Sequence, residues 1–250
     1  MSSNESREPP SAAAITQGAA AVPRRFPVPL FVLLGMLGTA LLFVAYPELD
    51  LMVSGGFYAD GEFFLRRASW VRFLYDYGEL PVRFVAFGAG GVALVLWAMR
   101  RGSLLGWSRK VYLYLFLAGV LGPALVVNGV FKEHFDRARP VQVEAFGGDK
   151  QFTPAFIIAD QCERNCSFVS SHAACGFYFV ALGFLFGGRW RRFWFASGIA
   201  AGALVGAGRI LQGGHFLSDV IFAGVFVYLS AAVLHYLMFR EQYARPGPTP

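Results

Sequence analysis

The chain has 250 residues, of which 56% are hydrophobic and only 15% charged, and its mean hydropathy of +0.48 is too high for an ordinary water-soluble domain. With 26 Phe, 10 Tyr and 5 Trp, it is a membrane protein with lipid-facing aromatics, not a disordered or fibrous chain. Three cysteines are too few for a disulfide-stapled scaffold, and the net charge of +6 sits at the ends of apolar blocks rather than in a stripe suited to nucleic acid.

Residues 1–23 are rich in Ser, Ala and Pro and contain no aromatic residue, so they read as a disordered cytoplasmic tail. Arg24 and Arg25 precede an uncharged run over 26–47, long enough at 1.5 Å per residue to cross roughly 30 Å of hydrocarbon. Further apolar blocks at 80–99, 111–131, 170–186, 193–207 and 216–239 bring the expected crossings to six. Residues 24–240 then form one all-α polytopic membrane domain, and 241–250 a second cytoplasmic tail. The fifth block is short and rich in Gly and Ala, as suits a helix packed among neighbours. Arg83, one turn inside the second block, is expected to snorkel to the headgroups. Between the first two blocks, Phe63, Trp70, Leu74 and Tyr77 are spaced by seven, four and three. That spacing fits an amphipathic helix lying in the outer interface, and a loop with scattered aromatics fits equally well.

Lys and Arg set the orientation. With the N-terminus inside, twelve basic and three acidic residues face the cytoplasm, a net +9, and ten basic and thirteen acidic face out, a net −3. That satisfies the positive-inside rule. Topology thus accounts for the basicity without a nucleic-acid partner.

Ionisable residues at membrane helix ends are costly without a role, and six of them reach the outer face. Lys132 and Arg139 follow the third block, His172 opens the fourth, and Arg209, His215 and Asp219 run from the fifth into the sixth. Three cations, two imidazoles and a carboxylate suffice to hold a phosphate and attack it. His215 and Asp219 are four apart, so on a helix they share a face and the carboxylate orients the imidazole as a nucleophile. His172 sits at an expected helix N-terminus beside Ser170 and Ser171, where backbone amides favour an anion and an acid can meet a leaving oxygen.

These residues resemble the motifs of the type 2 phosphatidic acid phosphatase (PAP2) family. Lys-x6-Arg-Pro is met by Lys132 to Arg139-Pro140, Pro-Ser-Gly-His by Val169-Ser170-Ser171-His172, and Ser-Arg-x5-His-x3-Asp by Gly208-Arg209 through His215 to Asp219. The resemblance covers residues 30–240. It implies that Lys132, Arg139 and Arg209 bind phosphate with Ser170 and the backbone around Ser171. It makes His215 the nucleophile that forms a phosphohistidine, Asp219 its orienting partner and His172 the general acid, with no metal or other cofactor. Val169, Ser171 and Gly208 depart from the family pattern. Ser171 matters if that position needs positive φ, and Gly208 lacks a hydroxyl.

Other candidates read as structural. Arg137 fits an interfacial anchor for headgroups, His134 matches no motif, and His235 and Cys175 fit helix packing. Cys162 and Cys166 sit in the outer loop, where an oxidising compartment would favour a short-loop disulfide over two free thiols. A site opening at the outer interface suits a membrane lipid phosphate, with lipid A, undecaprenyl pyrophosphate and phosphatidylglycerol phosphate as candidates. Phe-Gly-Gly at 146–148, Phe152-Thr-Pro-Ala and the segment from Gln161 through Cys166-Ser-Phe-Val-Ser look like loops of family members in Gram-negative bacteria that dephosphorylate lipid A. A lipid phosphotransferase remains open as an alternative. An anionic-lipid transporter is disfavoured by the scarcity of polar residues in the inner halves of the blocks.

Overall fold

A computed structural model describes residues 28–132 and 134–243, without the side chains at 126, 128 and 130–132. The two expected tails and the side chain of Lys132 therefore fall almost wholly outside the described residues. The chain is mainly helical, with nine α-helices among the described residues: α1 (Leu30–Ala45), α2 (Glu48–Gly55), α3 (Ser69–Tyr77), α4 (Leu80–Ala98), α5 (Arg109–Gly119), α6 (Ser171–Phe177), α7 (Val180–Leu185), α8 (Gly188–Leu211) and α9 (Leu217–Phe239).

Among the described residues, three helical stretches are long and apolar enough to cross a membrane: Ser69–Ala98, Gly188–Leu211 and Leu217–Tyr243. The pair α1 and α2, bent by 82°, makes a fourth if it counts as one span. Pro47 causes that bend, because it drives the residue before it out of the helical region. The other two expected crossings are interrupted. The 111–131 block begins as α5 and widens into a π-helix over Val120–Lys132 around Pro123, whose ring removes a backbone donor and crowds the preceding turn. The 170–186 block is the shorter apolar stretch Ser171–Leu185, and α6 and α7 are buried on nearly every side. A helix enclosed by other helices is apolar all round, which gives it the sequence signature of a span.

The small residues of α8 behave as expected for close packing. A Cβ on Gly176 of α6 would lie 2.7 Å from the Ala201 carbonyl oxygen, and one on Gly198 would lie 2.5 Å from the Val180 nitrogen. By contrast, α1 turns Leu34, Leu37 and Leu41 outward, as a lipid-facing helix does.

Among the described residues, two short hairpins interrupt the all-α pattern. Strand β1 (Tyr58–Ala59) pairs with β2 (Glu62–Phe63), and β3 (Ser103–Leu104) pairs with β4 (Trp107–Ser108), both antiparallel. Each turns through two residues of positive φ, Asp60-Gly61 and Leu105-Gly106, the geometry that matches strand twist. Phe63 lies in β2 and not on the helix expected to carry Trp70, Leu74 and Tyr77. It is buried against Tyr58 and Phe146, with ring centroids 5.3 and 5.4 Å away, and this aromatic cluster seats the hairpin beneath the loop between α8 and α9.

Candidate active site

Helix α8 ends at Leu211, and the chain crosses to α9 through Gln212, Gly213, Gly214, His215 and Phe216. Gly213 has φ +66°, and a Cβ there would fall 2.5 Å from the Phe63 ring. The tight crossing holds His215 at 1% exposure. Its Nδ1 is 3.5 Å from Asp219 Oδ2, a long contact of the kind that shortens when substrate binds. The pairing differs from the shared helical face expected from the spacing. His215 precedes α9, and Asp219, in its first turn, reaches back to accept the Phe216 N–H at 2.8 Å. The capping role of the carboxylate brings it to the histidine.

The rest of Asp219 is fully occupied. Oδ2 also accepts Ser167 Oγ, and Oδ1 accepts Arg137 Nη1 at 2.6 Å. Arg137 is therefore no headgroup anchor, because it is 1% exposed and donates as well to Asp50 Oδ2 at 2.8 Å and the Thr153 carbonyl at 2.8 Å. Its guanidinium lies 4.3 Å from the Phe216 ring centroid. Ser218 closes the network by donating its N–H and Oγ to Asp50 at 2.8 and 2.6 Å. Asp50 sits in an apolar stretch, Leu49 to Val53. A lone acid there was the one sequence signal for a buried partner.

Arg139 and Arg209 flank the histidine loop. Arg139 donates from Nη2 and Nε to the Asn165 carbonyl at 2.7 and 3.1 Å. Asn165 lies inside the five-residue loop closed by the Cys162–Cys166 disulfide, so the bridge expected from the sequence fixes the carbonyl that holds a phosphate-binding candidate. Burial lowers the Arg139 pKa from its ordinary value without making the group neutral. Arg209, in the last turn of α8, donates to Gln212 Oε1 and lies 4.6 Å from the Tyr75 ring centroid. Its buried Nε has no hydrogen-bond partner among the described residues. Any side chain on Gly214 would collide with the Arg209 guanidinium. A cavity of about 480 Å³ opens here, lined by Arg139, Arg209, Tyr75, Gln212 and Gly214 together with further arginines.

His172 opens α6, whose N-cap is Ser170. The Ser170 N–H donates to the Asp219 backbone carbonyl at 3.1 Å, tying the start of α6 to the histidine pair. His172 Nδ1 is 3.4 Å from Glu79 Oε1, and its ring stacks on Tyr75 with centroids 4.8 Å apart. Tyr75 thus contacts both His172 and Arg209. Sequence reasoning missed Tyr75 and Glu79, as it missed Asp50, Ser167 and the role of Arg137. Lys132 ends the π-helix, with its side chain outside the described atoms. His235 is buried and bonds Tyr243 Oη at 2.7 Å, a packing role as expected; Cys175 is likewise buried.

Burial pulls the His215 pKa down to about 3, outweighing the opposing hydrogen bond and charge of Asp219. The imidazole is therefore neutral at physiological pH and keeps a lone pair for attack.

A family model described as the PAP2 superfamily matches residues 110–243. The chain is also 36% identical over 210 residues to a protein named lipid A 4′-phosphatase from Francisella tularensis subsp. novicida, a match covering 81% of this chain and 91% of that protein. The chain belongs to the PAP2 superfamily. Proteins of the same name from Rhizobium leguminosarum and Rhizobium etli are 39% identical over 128 residues and 44% identical over 103. The first match covers 50% of this chain and 54% of the relative, the second 40% and 39%. No solved structure gives a significant match. The departures from the PAP2 motifs have local explanations. A Cβ on Gly208 would lie 3.3 Å from Leu74 Cδ1, so the missing serine makes room for α3. Ser171 begins a right-handed helix and needs no positive φ.

Proposed function

We propose that this chain is an integral-membrane phosphatase that removes the 4′-phosphate of lipid A at the outer face of a bacterial inner membrane. The observation that carries the reading is the neutral, buried His215 braced by Asp219 behind Arg139 and Arg209. The lipid A specificity is supported by similarity along nearly the whole length of the Francisella relative. The orientation rests on the excess of Lys and Arg at the block ends expected to face the cytoplasm, which favours a site facing outward, and the exposed Trp70, Phe73 and Tyr77 of α3 suit headgroup depth.

The chemistry runs in two displacements. His215 Nε2 attacks phosphorus, a P–N bond forms, the bond to the lipid oxygen breaks, and protonated His172 gives its proton to that oxygen. Asp219 balances the charge that develops on the imidazole, while Arg139, Arg209 and Lys132 neutralise the equatorial oxygens. Neutral His172 then takes a proton from water, whose oxygen attacks phosphorus as the P–N bond breaks and inorganic phosphate leaves.

The test is purified protein in detergent with lipid A, undecaprenyl pyrophosphate and phosphatidylglycerol phosphate, measuring released phosphate and phosphorylated lipid together. Release from lipid A with the highest kcat/KM is expected. Preference for another lipid, or transfer to a lipid acceptor in place of phosphate release, would overturn the assignment.

A further inference from the structure

The cavity beside His215 carries more positive charge than one phosphate requires. Besides Arg139 and Arg209 it is lined by Arg66, Arg67 and Arg72, against the single acid Asp76. Arg67 faces Glu62 at 3.9 Å. Among the described residues, Arg66 and Arg72 have no carboxylate within ion-pair distance. Arg66 and Arg139 both repel the buried Arg209, and cations crowded at a partly closed cavity gain most from a bound anion. At about 480 Å³ the space is in the range for a whole small ligand, about 300–1,000 Å³, so it exceeds the needs of the reacting phosphoryl group.

The segments that carry these arginines are tied to the loop that carries the histidine. The Arg66 N–H donates to the Phe63 carbonyl at 2.9 Å, and Phe63 packs against Gly213, two residues before His215. Arg72 is on α3, which is fastened to the end of α8 by Gln212 Nε2 donating to the Val71 carbonyl at 3.4 Å and by Tyr75 against Arg209. The backbone that carries the exposed Arg66 and Arg72 side chains is therefore tied to the reacting centre, so an anion bound to both would lie within their reach of it.

We propose that Arg66 and Arg72 form a second anion subsite, which takes a further phosphate or carboxylate carried on the headgroup of the same lipid whose phosphate reacts at His215. This rests on the phosphatase reading above and narrows its substrate class to polyanionic lipids. Mono-anionic lipids fill the reacting position and leave the second one empty.

The probes are two synthetic acylated disaccharides, identical except that one carries one phosphate and the other two. Their affinities are measured by calorimetry in neutral detergent on full-length protein carrying His215→Ala, so binding is read without turnover. The bis-phosphorylated probe is expected to bind about tenfold tighter or more, the worth of one charge-assisted contact. Arg66→Gln with Arg72→Gln should remove that preference and change mono-phosphate affinity less than about twofold; Arg66→Lys with Arg72→Lys, which keeps the charge, should retain most of it. Equal losses for both probes would reduce the arginines to general attraction and overturn the proposal, as would no loss for either. Anionic phospholipid added to the micelles supplies the rival source. If it raises the mono-phosphate probe to bis-phosphate affinity, and the double Gln variant abolishes the gain, the second anion belongs to a neighbouring lipid and the proposal falls. Failure of the wild type to release phosphate would overturn the phosphatase reading alone, because the binding test uses no turnover.

Discussion

Arg137 Nη1 donates to Asp219 Oδ1 at 2.6 Å while the same guanidinium donates to Asp50 Oδ2 at 2.8 Å. One buried cation is thus shared between the carboxylate that contacts His215 and a carboxylate from α2, 87 residues before Arg137 in the chain. The oxygen of Asp219 that does not face the histidine cannot swing, so the other stays aimed at Nδ1.

Replacing Arg137 by Met should expose this arrangement. It leaves two carboxylates facing each other without their shared cation, and breaking a buried pair on one side costs about 3–5 kcal/mol. Chemical unfolding in detergent should show a loss of that order, with a fall in kcat larger than any change in KM. Adding Asp50→Asn removes one of the stranded charges and should recover part of the stability. A loss below about 1 kcal/mol in the single variant would mean that the guanidinium does not hold the two acids.

The disulfide loop should act through Arg139. Replacing Cys162 and Cys166 by Ser frees the chain around Asn165, whose carbonyl takes two donors from the Arg139 guanidinium. KM should rise by roughly tenfold or less, because a charge-assisted contact is loosened and not deleted, with kcat nearly unchanged. The increase should vanish on an Arg139→Ala background. If it persists there at full size, the bridge serves something other than Arg139.

The motif candidates could be picked out of the sequence because their spacing is local. His215 and Asp219 are four apart, Lys132 and Arg139 seven, and each set lies at the edge of an apolar block. Asp50, Tyr75 and Glu79 were not, since they meet Arg137, Arg209 and His172 across long stretches of chain, and periodicity carries no information on such pairs. Arg137 was misread for a related reason. A basic residue just outside an apolar block looks the same whether it faces headgroups or a distant carboxylate. The hairpin at Asp60-Gly61 was not anticipated, because strands of two residues give no alternation to read. The interrupted crossings show a different limit, because hydropathy registers burial in protein and burial in lipid alike.

Reporter fusions test the orientation drawn from the charge count. Fusions after Arg191 and after Pro250 should read cytoplasmic, and one after Gly148 periplasmic. A periplasmic C-terminus would require an odd number of crossings and would place the motif residues on opposite faces.

The depressed pKa of His215 predicts a pH effect on stability with a definite sign. In the folded chain it titrates near 3, and in the unfolded chain near 6.5. Below about pH 6.5 the unfolded state binds the proton and the folded state does not. The contribution of the neutral imidazole is therefore complete above that pH and is lost progressively as the pH falls toward 3. Melting temperatures between pH 7 and pH 4 should fall more steeply for the wild type than for His215→Asn, in which the other titrating groups are retained. Parallel slopes would show that burial does not hold this ring neutral.

The two histidines of the proposed mechanism should fail differently. In the proposed mechanism His215 makes the bond to phosphorus, and neither Asp219 nor the two arginines beside it can replace an imidazole lone pair. The same mechanism has His172, which lies between the Tyr75 ring and Glu79, supply a proton to the departing oxygen, and the need for that proton falls as the leaving group becomes more acidic. His172→Ala should therefore lose most of its activity on a lipid alkyl phosphate, by roughly a hundredfold or more, and keep far more on a nitrophenyl phosphate. His215→Ala should lose both substrates to a similar degree. Glu79→Gln, which leaves His172 in place but weakens its support, should show the same aryl preference in milder form. Equal aryl-to-lipid ratios in the two histidine variants, or rescue of His215→Ala by the better leaving group, would exchange or abolish the assigned roles.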